Sequence, residues 1–179
     1  MAERTQDVNA VDMLKKDHQE VAQLFEQCER AEAAERQAIA TQIFNALDIH
    51  TILEEEIFYP AVREQIDFKE VIEEEELTSD ETSAEETVVV EDTDESDDII
   101  AVSYEEHQMV KDLIKQLKSL DPQSTQYKEQ FAELKESVLD HVSEEEELIF
   151  PAARLKLDVN ALGQEMQQRR IALASSMAA

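Results

Sequence analysis

The chain has 179 residues and a formal charge of −28, with 44 acidic side chains against 16 Lys and Arg. So acidic a surface argues against nucleic-acid and anionic-membrane partners, which require clustered Lys and Arg. One glycine, three prolines and no tryptophan leave little turn chemistry for an all-β fold, and long stretches of helical periodicity predict an all-α fold. The lone Cys28 excludes an internal disulfide framework and suits a reducing compartment. With no leader-like or membrane-spanning apolar run visible, a cytoplasmic location is expected.

In the first helix, Val11, Leu14, Val21, Phe25 and Cys28 are spaced by threes, fours and their sums, and His18 fills the vacant register between Leu14 and Val21. His18 is therefore expected to point inward. In the second helix Ile43, Leu47, His50, Glu54 and Ile57 keep a four-three-four-three rhythm. A third helix near Ser103 to Ser119 carries His107, Val110, Ile114 and Leu117 on one face, and in the fourth Leu134, Val138, His141, Glu145 and Leu148 repeat the rhythm of the second. Each polar pair interrupts an apolar stripe, so all four histidines of the chain are expected in the core. Beyond them, Asp158 is placed to cap a last helix to about Ala174, with Leu162, Met166, Ile171 and Leu173 as its apolar positions. Its basic Gln167-Gln-Arg-Arg170 end suits its own C-terminal dipole and an acidic bundle.

The expected organisation is a single domain: an up-and-down four-helix bundle of two hairpins, 11–68 and 102–157, plus a C-terminal helix at 158–175 and an acidic insert at 70–101. Between Glu73 and Asp98 there are fourteen acidic residues and no Lys or Arg. Such a segment repels itself and buries little, so it reads as a solvated linker. It is also a surface through which a protein partner could be recruited, and the last helix is expected to dock on the bundle or on a second subunit; the sequence leaves monomer and homodimer open.

The two hairpins are an internal repeat. His50-Thr-Ile-Leu-Glu54 recurs as His141-Val-Ser-Glu-Glu145, and Pro60 and Pro151 each follow ten residues after the histidine. Asp17-His18 likewise matches Glu106-His107. At about 100° per residue, the fourth residue after a histidine lies about 40° away and the fifth about 140°. Glu54 and Glu145 are thus expected to face in, and Glu55 and Glu146 out. Glu144 could also lean inward, but its counterpart is Leu53.

Four imidazoles and two carboxylates in an apolar core are costly unless something satisfies them. A metal would do so, and this donor set suits iron, manganese or zinc. Iron is favoured because two metals bridged by two carboxylates is a known arrangement in helix bundles. The repeat's approximate twofold symmetry assigns His18 and His50 to one iron and His107 and His141 to the other, with Glu54 and Glu145 bridging. With a solvent-derived oxo or hydroxo bridge, each iron keeps a position open for dioxygen, nitric oxide or peroxide. The aromatic residues nearby, Phe25, Phe58, Tyr59, Tyr104 and Phe150, read as core.

Lys16-Asp17-His18, His50-Thr-Ile-Leu-Glu54-Glu55 with Tyr59-Pro60, Glu106-His107, and His141-Val-Ser-Glu-Glu145-Glu146 with Phe150-Pro151 together resemble the hemerythrin-like, HHE cation-binding family. The tail from Leu162 to Arg170 is similar to the segment that often follows these domains. The resemblance implies a four-helix bundle with a non-haem di-iron centre that binds or senses oxygen, or reacts with nitric oxide or peroxide. Reversible oxygen carriers of the family use a fifth histidine one turn from the third helix's first; here those positions are Ser103 and Lys111. The four-His, two-Glu set looks closer to di-iron proteins of nitrosative stress and iron–sulfur repair. Three function classes follow: a di-iron protein that binds, senses or reacts with a small oxidant; a peroxidase, catalase-like or ferroxidase enzyme; and a metal-stabilised interaction module using the acidic insert.

Overall fold

The computed structural model describes residues 8–68 and 98–177, so the stretch from Glu73 to Asp97, where a solvated linker and a partner-recruiting surface were expected, lies outside the described residues. Helix α1 (Ala10–Arg30) begins where the Asn9 side chain accepts from the Asp12 N–H. It turns at Ala31 into α2 (Ala33–Leu53), which continues without a break through a π turn, Glu54–Phe58, into α3 (Tyr59–Gln65). The second hairpin repeats this plan. Its helix α4 (Asp98–Leu117) leads to α5 (Thr125–Glu144), capped by the Ser124 hydroxyl accepting from the Tyr127 N–H, then to a π turn, Glu145–Ile149, and α6 (Phe150–Lys156). A last helix, α7 (Val159–Met177), starts where the Asp158 carboxylate accepts from the Asn160 and Ala161 N–H groups. The all-α, up-and-down bundle is thus present. Helix α4 is described from Asp98, inside the stretch assigned to the insert, and its Ile100 is buried in the core.

Helices α1 and α2 pack as one pair and α4 and α5 as the other, the pairs meet through α1 against α5 and α2 against α4, and α7 lies across α1 and α2. The core falls into two apolar clusters. One is built around Val11, Leu14, Leu53, Phe58, Tyr59, Phe150 and Met166, the other around Val21, Phe25, Ile43, Leu47, Ile114, Leu134 and Val138. Every histidine lies in sequence between members of these two clusters, so the polar layer is sandwiched between them. Among the described residues, no helix is long and apolar enough to cross a membrane.

The two π turns were not foreseen, and they shift the register of everything after them. The Tyr59 N–H donates to the Glu54 carbonyl and the Phe150 N–H to the Glu145 carbonyl, each spanning five residues instead of four. Pro60 and Pro151 follow immediately. A proline inside a helix has no N–H, and its ring collides with the carbonyl four residues back, which a wider turn avoids. The carbonyl of Glu55, five residues before Pro60, instead accepts from the Tyr104 hydroxyl at 3.2 Å. The added residue corrects two expectations. Leu148, assigned to the apolar stripe, is 51% exposed while Ile149 is buried, and Phe58 rather than Ile57 is the fully buried member of its turn. Ile171 is also exposed, since Met166 and the neighbouring Leu162 and Leu173 form the face of α7 that meets the bundle.

Candidate metal centre

His18, His50, Glu54, His107, His141 and Glu145 all come together, and all are buried. The Nε2 atoms of His18 and His50 are 3.2 Å apart, and those of His107 and His141 3.0 Å apart. Each glutamate stands between the pairs. Glu54 Oε2 lies 3.0 Å from His50 Nε2 and 3.4 Å from His107 Nε2, and Glu145 Oε2 lies 3.3 Å from His18 Nε2 and 3.5 Å from His141 Nε2.

These contacts are close but do not satisfy the carboxylates. Both oxygens of Glu54 and Oε2 of Glu145 lack a hydrogen bond of acceptable geometry. Three orphaned carboxylate oxygens between apolar clusters would be strongly destabilising on their own. An ion would satisfy them. Two imidazole nitrogens bound to one metal at about 2.1 Å, with a right angle between them, are about 3.0 Å apart, which matches both histidine pairs. The donors fit the expected group: His18, His50, Glu54 and Glu145 converge on one point, and Glu54, His107 and His141 on a second.

The electrostatics tell the same story in the absence of an ion. Burial resists a proton on His50, but Glu54, Asp17 and Glu145 outweigh it and push the imidazole up to about 10. Burial likewise resists charge on Glu54, yet His50 and His107 hold its carboxyl well below the usual range. Protons thus stand where an ion would supply positive charge, and metal uptake would displace them.

With Nε2 turned inward, each histidine presents Nδ1 to a carboxylate. His18 faces Glu146 at 3.0 Å, His50 faces Asp17 at 3.4 Å, His107 faces Glu55 at 3.2 Å and His141 faces Glu106 at 2.7 Å. A carboxylate on the far nitrogen fixes the tautomer and the ring plane and raises the basicity of the inner nitrogen. Glu55 and Glu146 therefore do not face out as expected; they are half-buried and reach across to the opposite hairpin. Within the π turn each residue rotates less than 100°, which keeps the fifth residue nearer the histidine's own side. Lys111 pairs with Glu55 at 2.7 Å and Lys15 with Glu146 at 2.9 Å. The repeat held the signal for these four residues, since an acid precedes each helix's first histidine and follows each inward glutamate in both halves.

Tyr59 is the other residue whose role exceeds its expected one. It is core, fully buried, but its hydroxyl donates to Glu145 Oε1 at 2.7 Å and lies 3.3 Å from His107 Nε2. Burial, followed by the charges of Glu54 and Glu145, pushes this phenol well above its ordinary range. Its counterpart Phe150 stacks on His18 at 5.5 Å between ring centroids. Tyr59 stacks on His107 in the same way at 5.4 Å, so the centre is twofold in its rings and asymmetric in the Tyr59 hydroxyl.

On the imidazole side of the cluster, a partly open cavity of about 20 Å³ is lined by the four histidines, Asp17, Thr51 and an apolar set, Val21, Leu47, Val110, Val138 and Val142.

The family model for the hemerythrin HHE cation-binding domain matches residues 9–84 and 98–174, one stretch on each hairpin. A DNA nickase from Nostoc sp. is 28% identical over 156 residues, which is 85% of this chain but only 35% of that relative. The chain therefore spans about a third of the length of that protein. In fold, the structure is similar to a hemerythrin HHE cation-binding domain-containing protein from Mycobacterium kansasii, with a TM-score of 0.66 over 94% of this chain and 89% of the other at 23% identity. With the family model covering most of both hairpins, and a buried His and Glu cluster able to hold a metal, the chain belongs to the hemerythrin HHE cation-binding domain family.

Proposed function

We propose that the cluster holds two iron ions, with His18 and His50 on one, His107 and His141 on the other and Glu54 and Glu145 shared between them, and that the protein binds, senses or reacts with dioxygen, nitric oxide or peroxide. The observation that carries this reading is the cavity beside the imidazoles. A space of about 20 Å³ holds roughly one water-sized molecule, which gives a small ligand room beside the imidazoles. The apolar side chains around it favour an uncharged molecule over an ion. Bound iron would supply the redox chemistry. The chain's own residues do the rest: carboxylates aim the four imidazoles, the valines exclude bulk water, and Tyr59 holds a proton on its hydroxyl oxygen 2.7 Å from Glu145.

Manganese or zinc would fit the same donors, which makes metal identity the first thing to measure. Protein from iron-supplied cells is expected to carry about two irons per chain and to absorb in the near ultraviolet, with the absorption bleaching on anaerobic reduction. Nitric oxide added to the reduced protein should then shift the spectrum. Zinc or manganese in place of iron, or reduced protein indifferent to nitric oxide, dioxygen and peroxide alike, would overturn the reading. Turnover of peroxide or ferrous iron in the same samples distinguishes an enzyme from a binder or sensor. The nicking of DNA in the Nostoc relative's name is not carried over, because a chain of charge −28 offers DNA phosphates little to bind.

A further inference from the structure

Three of the four carboxylates that face the histidines carry a cation of their own, and the third cation comes from outside the four-helix bundle. Lys15 of α1 serves Glu146, Lys111 of α4 serves Glu55 and Arg170 of α7 serves Asp17. Arg170 grips Asp17 with both ends of its guanidinium, Nη1 donating to Oδ1 at 2.8 Å and Nη2 to Oδ2. The Asp17 side chain is only 13% exposed, and burial works against its charge, yet its contacts with His50 and Arg170 hold the carboxyl below its ordinary range. Its counterpart Glu106 is one methylene longer, reaches His141 Nδ1 at 2.7 Å and has no Lys or Arg partner among the described residues. Asp17 reaches His50 Nδ1 at only 3.4 Å.

The rest of α7 is anchored to suit. Gly163 lies so close to the start of α1 that a Cβ there would sit 1.8 Å from the Val8 carbonyl oxygen. One residue before Arg170, Arg169 pairs with Glu56 of the π turn at 2.6 and 2.9 Å. These contacts seat α7 against α1 and the π turn, with Arg170 beside Asp17.

We infer that Arg170 is a positioning residue for one half of the metal centre: by holding Asp17 in place behind His50 it ties the His18/His50 position to the C-terminal helix more tightly than the His107/His141 position. This rests on the metal-binding reading above. Short Asp17 has little reach of its own, and the fork of an arginine fixes both carboxylate oxygens where a lysine's point charge would fix one.

The test uses the full chain and ferrous iron under anaerobic conditions, with a competing chelator removing iron stepwise. In Arg170→Gln, one of the two irons should be lost at up to about a tenfold lower chelator concentration, the low end of the scale for losing a ligand's own outer partner because Arg170 acts through Asp17, while the other is affected less. Arg170→Lys should restore part of the difference. Arg169→Gln removes an anchor of α7 on the π turn without touching Asp17 and should weaken the His18/His50 iron less than Arg170→Gln does. Equal weakening of both irons, or equal effects of the two arginine changes, would mean that α7 merely docks and would overturn the inference. A second readout needs no metal: in nitrogen-15 spectra of the metal-free chain, Arg170→Gln should move the His50 imidazole signals and leave those of His141 in place, and unmoved His50 signals would likewise overturn it. A parent chain that binds no iron would sink the metal-binding reading instead, with the His50 signals still reporting on Arg170.

Discussion

Glu54 is fully buried, both of its oxygens lack a hydrogen bond of acceptable geometry, and its Oε2 lies 3.0 Å from His50 and 3.4 Å from His107, imidazoles of the two hairpins. That combination makes it the residue whose loss should separate a metal centre from a merely polar core. In a structural core, replacing it by alanine would strip His50 and His107 of their charged partner, at a cost of about 3–5 kcal/mol, with no metal to lose. In a metal centre it removes a donor shared by two ions. Glu54→Ala is therefore expected to bring the metal content below two per chain, and retention of two tightly held ions would show that Glu54 is not a ligand. Tyr59→Phe tests the asymmetric aromatic in a different way. It removes the donor to Glu145 Oε1, leaves a buried acceptor unpaired and should cost about 1–3 kcal/mol, read as a lower denaturation midpoint of the metal-free protein; no change there would mean that Glu145 finds another donor.

At the scale of elements, the π turns decide which residues reach the centre. Both begin at an inward glutamate and both are followed by a proline at the same offset. Pro60→Ala restores an N–H and removes the ring that opposes a four-residue turn. Tightening of the turn would rotate Phe58 out of its buried position, at a cost of about 1–3 kcal/mol if the packing is disturbed as by an ordinary core misfit, and would carry Glu55 away from His107. A lower melting temperature together with a weakened metal site is expected in Pro60→Ala; unchanged values would mean that the contacts of Glu54, not the proline, hold the turn open. This element also marks where the sequence stopped being legible. The helical periods placed His18, His50, His107 and His141 inside, because each sits between apolar residues that must be buried, and the repeat paired the hairpins. A uniform 100° per residue could not anticipate a turn of five, so Glu55 and Glu146 were assigned to solvent and Leu148 to the core. The two prolines were visible as part of the repeat, but their effect on the turn depends on backbone geometry that periodicity does not encode. The cation on Asp17 was equally hidden, since nothing local links Arg170 to a residue more than 150 positions earlier.

For the molecule as a whole, the polar layer between two apolar clusters makes stability depend on occupancy. In the metal-free state, His50 holds its proton up to about 10 because burial is outweighed by the carboxylates around it, but Glu54 and Glu145 still leave oxygens unsatisfied. An ion that binds the folded chain and not the unfolded one stabilises it by an amount set by its concentration relative to the dissociation constant, about 4 kcal/mol at a thousandfold excess. For a chain of this size each kcal/mol moves the melting temperature by about 2–4 °C. Removing metal with a chelator under reducing conditions should therefore lower the melting temperature by roughly 10 °C. The bundle should stay helical at room temperature, because the clusters on either side of the layer do not include the ligands. Readdition of iron should return the midpoint in proportion to the metal bound. Glu54→Ala chain should show a smaller drop on chelation than the parent, since it has less metal to lose and one fewer buried carboxylate to leave exposed. If the metal-free parent melted where the loaded protein does, the layer would be self-sufficient through its own protons and hydrogen bonds, and the His and Glu cluster would be a structural feature of the core instead of a site that binding completes.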